Sequence, residues 1–287
     1  MTKKIAVIND LSGFGKCSLT AAISVIAAMG VQPCPLPTAI LSAQTGYASY
    51  FLDDYTDKME SFRKEWEKMG ASFDGIYTGF MAGDRQIRQV FAFLDTFHKK
   101  NTFLLVDPVM GDNGKEYAIF TPELLSLMKE LVLRADIITP NLTELCLLTD
   151  TDYRMIEHLT DEKYLLTVVA QMGRNLIQKG PKTVVVTGIQ FVDEADGISK
   201  MGNLSVTKKE EHLCAFPYIG GSYSGTGDIF ASAVAAGMAK EEKIVSVMKR
   251  AGAMIEYAMR DAVKDQIPRN DGVEYEKYLW MLKGEEQ

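Results

Sequence analysis

Most of the features that identify a protein at sight are missing from this sequence. Its four cysteines (Cys17, Cys34, Cys146, Cys214) form no CxxC pair and no Cys/His metal spacing, which excludes a structural zinc site and a disulfide framework. Cys17, Cys34 and Cys146 sit in apolar surroundings, so packing roles in a reducing compartment are expected. No apolar run approaches the ~18 residues of a membrane span. The start, "MTKKIAVIND", has basic residues but no long apolar core, and reads as a first strand and not a signal peptide. Basic charge is also short: 31 Lys and Arg against 38 Asp and Glu leave a net charge of -7. That balance argues against a nucleic-acid or membrane-surface partner, while leaving room for local binding of an anionic nucleotide. There is no repeat, linker or low-complexity segment. What remains is an ordinary globular composition, 47% hydrophobic and 24% charged over 287 residues. The expectation is a cytoplasmic protein of one domain spanning 1–287.

What is there is alternation. Short apolar runs at 4–9, 75–80, 102–108, 135–140 and 182–188 read as buried strands, and helical patterns lie at 18–30, 84–99, 121–134, 141–149, 161–179, 241–263 and 273–283. Thr121 is the expected N-cap of its helix, with Pro122 in the first turn. Alternating β and α with apolar strands predicts an α/β fold, a mostly parallel sheet with helices on both faces. Two stretches break the rhythm: the extended, proline-rich "PCPLPTAILSAQTGY" (33–47), and "ISKMGNLSV" (198–206), read as a small hairpin. In such a sheet ligands gather at the carboxyl ends of the strands, where Asn9, Asp10, Thr78, Asp107, Thr139, Asn141 and Thr187 stand. Each alone is more often a turn or cap residue; their recurrence suggests one cleft edge.

The motifs exclude before they include. "DLSGFGKCS" (10–18) would need glycine at Asp10 and Ser or Thr at Cys17 to be a P-loop, so it fails twice and leaves a glycine-rich turn. "SGTGDIF" (224–230) would need glycine at Phe230 to be a dinucleotide fingerprint, and it falls near the C-terminus, which disfavours an oxidoreductase. Consecutive N–H groups at a helix start, with glycines allowing close approach, do make an anion site. Asp228 there either complements the helix dipole, worth about 0.3–1 kcal/mol, or accepts a proton from a substrate hydroxyl. In "VDPVMGDNGKEY" (106–117), Asp107 ends a strand and Gly111 and Gly114 flank an acidic loop able to close over a metal–nucleotide. In "ITPNLTEL" (138–145) the spacing of Asn141 and Glu144 fits both a capping box and a polar cluster on one first turn.

In order along the chain, "NDLSGFGK", "QTGY" (44–47), "YTGF" (77–80), "DPVMGDNGK" (107–115), "TPNLTE" (139–144), "VVVTG" (184–188) and "GTGD" (225–228) resemble the ribokinase superfamily, most closely its vitamin-kinase branch of pyridoxal and hydroxymethylpyrimidine kinases. The resemblance implies a ribokinase-like three-layer sandwich with a small β excursion or lid, a homodimer, and transfer of the ATP γ-phosphate to a hydroxymethyl group on an aromatic ring. It implies Asp228 as base and the amides of Gly225, Thr226 and Gly227 as holders of the phosphoryl charge. Asn141 and Glu144 would organise Mg²⁺ and its waters with Asp107 nearby. Thr187 would reach the nucleotide phosphates, and Lys115, on the 111–117 lid loop, also falls among the nucleotide-binding residues. A monovalent cation is a further expectation. Asn9, Asp10, Ser12 and Thr45 would contact the ring, with Phe80 standing where pyridoxal kinases often carry Tyr. "QTGY" is similar to the "HTGY" of pyridoxal kinases and favours pyridoxal, pyridoxine and pyridoxamine, whereas the first turn sits nearer the "SDPSGGAG" of pyrimidine kinases. Hydroxymethylpyrimidine kinase is the alternative; an oxidoreductase and a non-catalytic vitamin binder are the more distant ones.

Overall fold

The computed structural model describes residues 1–119 and 121–284. The fold is α/β, with a mostly parallel central sheet and helices around it. The chain divides into two compact units, one of Met1–Phe103 with the chain from Ile219 onward, the other of Leu104–Tyr218.

The first unit begins with β1 (Lys4–Ser12), in which Ile5, Ala6, Val7 and Ile8 are wholly buried, as a strand paired on both sides requires. After α1 (Ser18–Ala28) come β2 (Gln32–Leu41), β3 (Leu52–Asp54), α2 (Thr56–Lys68), β4 (Gly75–Thr78) and α3 (Asp84–Phe97). Both β2 and β4 run parallel to β1, with Val7 opposite Pro35 and Tyr77, and β3 pairs antiparallel with Ala39–Leu41.

The proline-rich stretch that interrupts the sequence rhythm is thus a strand as far as Leu41, and its prolines explain themselves. Gln32 donates its N–H to Lys3 of the incoming chain at 2.8 Å, so even-numbered N–H groups face β1. Pro33, Pro35 and Pro37 fall on the alternate positions and lack donors only on the side away from β1. That spacing keeps the β1 ladder intact and removes the N–H row on which a stray strand could template.

The second unit holds β5 (Phe103–Val106), β6 (Gly111–Asp112), β7 (Lys115–Glu116), α4 (Pro122–Arg134), β8 (Ile137–Ile138), α5 (Leu142–Thr149), α6 (Arg154–Glu157), α7 (Glu162–Ile177), β9 (Thr183–Val192), β10 (Ser199–Thr207) and β11 (Glu211–Pro217). Here β5, β8 and β9 are parallel, while β10 pairs antiparallel with both β9 and β11. The small hairpin read at 198–206 is therefore one long strand in the middle of an antiparallel extension. Thr121 caps α4 as expected, accepting from the Leu124 N–H at 3.1 Å.

The chain then returns to the first unit with α8 (Thr226–Ala239) and α9 (Ile244–Lys264), followed by 3-10 turns at Arg269–Asp271 and Glu276–Leu282. Apart from its first turn, α8 is buried almost throughout, Ile229 to Gly237 without interruption, so its sequence is alanine-rich and apolar all round. No helix among the described residues is long and apolar enough to cross a membrane.

Candidate active site

In the first unit, the carboxyl end of β1 and the start of α8 converge on Asp228. Gly225 occupies the N-cap of α8 with φ +86°, and a Cβ there would lie 2.0 Å from the Lys16 carbonyl oxygen. Both the dihedral and the close approach demand glycine. The amides of Gly225, Thr226 and Gly227 therefore belong to a turn pressed against the start of α1, and Gly227 is exposed. Asp228 follows in the first turn, half-buried, and accepts from Asn9 Nδ2 at 3.2 Å. Burial pushes its carboxyl up to about 6, the neighbouring Asp10 charge adds to this, and hydrogen bonds from the Ser18 N–H and Asn9 oppose it. Ser18 holds φ +52°, a left-handed conformation uncommon outside glycine. A group with a pKa near 6 is ionised at neutral pH and still basic enough to take a proton, as a general base requires.

Asn9 is wholly buried and its side chain is fully committed. Besides donating to Asp228, its Oδ1 accepts the N–H of Asp10 at 3.0 Å and of Phe80 at 2.9 Å. A Cβ on Gly79 would lie 2.3 Å from Asn9 Nδ2, so the "TGF" glycine leaves room for this bridge. Ser12, also wholly buried, donates to Asp10 Oδ2 at 2.8 Å. Burial raises the Asp10 pKa against that bond and one from Ser18. Asn9 and Ser12 thus lie below the surface and hold Asp228 and Asp10, whereas the resemblance implied ring contacts for both. Half-buried Phe80 and exposed Thr45 are nearer to solvent.

The Asn9 bridge carries a prediction. Removing its donor in Asn9→Ala is expected to move the acid limb of kcat/KM upward by about one pH unit, the equivalent of one hydrogen bond to a charged group. A pH–rate profile of the variant reads this directly, and an unmoved limb would separate Asn9 from Asp228.

The second unit places its polar residues around the start of α5. Asn141 and Glu144 form a complete capping box: Glu144 N–H donates to Asn141 Oδ1 at 3.0 Å, and Asn141 N–H to Glu144 Oε2 at 2.8 Å. The cap reading is therefore correct, but it does not exhaust these residues. Glu144 Oε1 also accepts the Met110 N–H at 3.1 Å, and Asn141 Nδ2 donates to the Gly111 carbonyl at 2.9 Å. The 111–116 segment is a β6–β7 hairpin, turned at Asn113 and Gly114, both at positive φ as a type I′ turn requires. Gly114 N–H donates to Thr143 Oγ1 at 2.9 Å, so both strands' shared turn and its base are tied to α5. Lys115 is exposed on this hairpin, and half-buried Thr187 donates its N–H to the Pro140 carbonyl at 2.9 Å.

Glu144 is buried, and burial followed by the Asp107 charge raises its pKa well above the usual carboxylate range. Asp107, 8% exposed, accepts from Thr139 Oγ1 at 2.7 Å. Two neighbouring carboxylates of this kind suit a divalent cation that neutralises their repulsion. Among the described residues no group of three or more His, Cys, Asp or Glu could enclose a metal ion. The Asp107–Glu144 pair fits Mg²⁺, which keeps several waters and needs only one or two protein carboxylates beside substrate phosphates.

No role in the site was assigned from sequence to the Gln44 side chain, to the Ser18 N–H or to the turn at Arg269–Gly272. "RND" followed by glycine signals a turn, but nothing local shows what that turn holds.

The parallel α/β architecture and the glycine turn carrying Asp228 place the chain in the ribokinase superfamily. Within it, the chain belongs to the phosphomethylpyrimidine kinase family, whose match spans residues 14–270. A Bacteroides thetaiotaomicron protein described as a phosphomethylpyrimidine kinase, solved in an orthorhombic form with pyridoxal, is 35% identical with a TM-score of 0.89, over 98% of this chain and 96% of that one. Pyridoxal kinase from Lactobacillus plantarum is 25% identical with a TM-score of 0.84, over 98% and 97% of the two chains. A Schizosaccharomyces pombe protein assigned as a pyridoxal kinase is 25% identical over 299 residues, 96% of this chain and 90% of its own length.

Proposed function

We propose that the protein is an ATP-dependent pyridoxal kinase, phosphorylating the 5′-hydroxymethyl group of pyridoxal, pyridoxine and pyridoxamine. The observation that carries this reading is Asp228, a half-buried carboxylate with a pKa of about 6 in the first turn of α8, beside the Gly225–Gly227 amides. Asp228 takes the hydroxyl proton as the substrate oxygen attacks the γ-phosphorus. The γ-phosphoryl group passes to that oxygen, ADP leaves, and the three amides hold the charge on the transferring group. Asn9 and Ser12 keep Asp228 and Asp10 in place, and Asp10, Thr45 and Phe80 face the vitamin.

The same reading assigns the nucleotide side. Thr187, Lys115 and Asn141 are assigned to the nucleotide, with the 111–116 hairpin as part of a lid. Asp107 and Glu144 would hold Mg²⁺, in part through its waters. When bound, Mg²⁺ supplies neutralising charge to the nucleotide phosphates. A cytoplasmic homodimer completes the reading.

The family's own description and the nearer-to-pyrimidine first turn support hydroxymethylpyrimidine kinase as second reading. The 35%-identical neighbour with pyridoxal favours the first. Purified protein assayed with ATP, MgCl₂ and either acceptor separates them. A kcat/KM for pyridoxal at least about tenfold above that for hydroxymethylpyrimidine is expected, a difference of about 1.4 kcal/mol in transition-state binding. The reverse order transfers the assignment to the second reading, and turnover of neither overturns both.

A further inference from the structure

The turn at Arg269–Gly272 carries no motif, yet it ties together the segments that surround Asp228 and Thr45. Asn270 Nδ2 donates to the Gly46 carbonyl at 2.6 Å, and the Asn270 carbonyl accepts from Gln44 Nε2 at 3.2 Å. Tyr47 Oη donates to Asp271 Oδ1 at 2.5 Å, a bond that pushes the phenol up to about 12. Ser224, next to Gly225, donates its N–H to the Arg269 carbonyl at 3.1 Å, and its hydroxyl accepts from Gln44 Nε2 at 3.3 Å. Gly272 is buried at φ +78°, and a Cβ there would meet Lys16 Cβ at 3.0 Å and the Ser224 carbonyl at 3.1 Å. Segments 15–17, 44–47 and 224–225 are thus knotted through one four-residue turn.

The other ties of the 44–50 loop are local: Gln44 N–H donates to the Phe14 carbonyl at 3.0 Å, Gly46 N–H to Gln44 Oε1 at 2.7 Å, Tyr47 N–H to the Gln44 carbonyl at 3.2 Å, and the Phe14 ring meets Tyr47 edge-on. Thr45, Gly46, Ala48, Ser49 and Tyr50 are exposed, so no apolar burial fixes their conformation. Ordering such a loop costs backbone entropy, about 1–2 kcal/mol per residue, and side-chain ties that pre-order it lower the cost of binding.

We infer that the Arg269–Gly272 turn is a positioning element for the vitamin, with Asn270 its key positioning residue. It fixes the loop bearing Thr45 relative to the turn bearing Asp228. This deepens, and rests on, the pyridoxal kinase reading. Asn270 touches no reacting atom; it acts through Gly46 and Gln44.

The experiment compares the parent with Asn270→Ala, Asn270→Asp and Tyr47→Phe. Loss of the Gly46 tie should raise KM for pyridoxal about 5- to 10-fold, with kcat and KM for ATP within about twofold. Asn270→Asp, which keeps the size but not the donor, should behave like Asn270→Ala, and Tyr47→Phe should shift KM the same way. Amide hydrogen exchange over 44–50 should quicken in each. An unchanged pyridoxal KM overturns the proposal even if exchange quickens. A joint change in both KM values with a large fall in Tm also overturns it, as a purely structural tie. If the parent neither phosphorylates pyridoxal nor binds it in a calorimetric titration, the functional reading falls first and this proposal with it. Turnover by the parent with an unmoved KM in the variants sinks the positioning role alone.

Discussion

Asp228→Asn is expected to abolish turnover while making the protein more stable. On the proposed reading Asp228 is the general base and contributes about 10²–10⁴ in kcat, and the amide cannot accept the hydroxyl proton. Both kcat and kcat/KM should fall by that factor, with ATP affinity retained. Stability should move oppositely. The folded pKa of about 6 lies above the ordinary aspartate value of 3.8, so the carboxyl contributes stability that is fully present below the unfolded pKa and lost as pH rises through 6. At pH 8 the parent therefore carries an ionised, partly desolvated carboxylate, on the order of 2–3 kcal/mol by linkage. The neutral amide escapes this, and Tm at pH 8 should rise by several degrees, with the gain shrinking towards pH 4. The parent's kcat/KM should show an acid limb near pH 6. A residue that served only the helix dipole would give the opposite pattern: full activity and a loss of about 0.3–1 kcal/mol. One variant, assayed for turnover and melted at two pH values, decides between them.

Most of the sheet was legible because parallel, doubly covered strands are apolar end to end; "KIAVIN", "TFLLVDP" and "KTVVVTG" could hardly be anything else. Failures came where that link between burial and pattern breaks. β2 alternates proline with apolar residues over 33–37 because β3 pairs with it only from Ala39 on, and proline ordinarily speaks against a strand. α2 escaped notice because it fully buries only Thr56 and Met59. Its surface is held by ion pairs such as Lys64–Glu60 at 2.8 Å and Arg63–Glu67 at 3.4 Å, which leave little apolar period to read. β10 is long because it is paired on both sides, a fact of tertiary pairing that "ISKMGNLSV" does not encode.

The candidate site divides along a similar line. Residues whose geometry is local, the glycines and aspartate of "GTGD" and the box of "NLTE", showed an anion-site turn and a helix cap in their spacing, while their roles came only from the family resemblance. Residues whose role depends on distant partners showed no such geometry. Asn9 looks like a strand-end ligand in sequence, and Ser12 a ring contact by resemblance; only three-dimensional pairing across 219 positions shows Asn9 donating to Asp228. Asn270 is more extreme, since its partner Gly46 lies 224 positions away and its surrounding residues carry no catalytic signature.

Glu144→Gln should separate the structural duty of that residue from the metal duty proposed for it. Both carboxylate oxygens accept buried N–H groups, from Asn141 and Met110, and a glutamine keeps one acceptor while turning a donor toward the other N–H. The protonated acid has the same arrangement, so the variant mimics the parent in its protonated form. Because burial and Asp107 raise the folded pKa well above 4.5, the parent's stability contribution is present below the unfolded pKa and lost as pH rises through the folded one. Parent and variant should therefore melt alike in acid, and the variant should gain on the parent as the solution becomes alkaline. Magnesium should reverse that order. A cation relieves the Asp107–Glu144 repulsion only where both charges exist, so MgCl₂ with nucleotide should raise the parent's Tm and leave the variant's nearly still. The Mg²⁺ concentration for half-maximal activity should climb by about 10- to 100-fold, the usual cost of losing a carboxylate that holds a metal or its waters. An unchanged Mg²⁺ requirement, with parallel melting curves at all pH values, would leave Glu144 as the cap of α5 and nothing more.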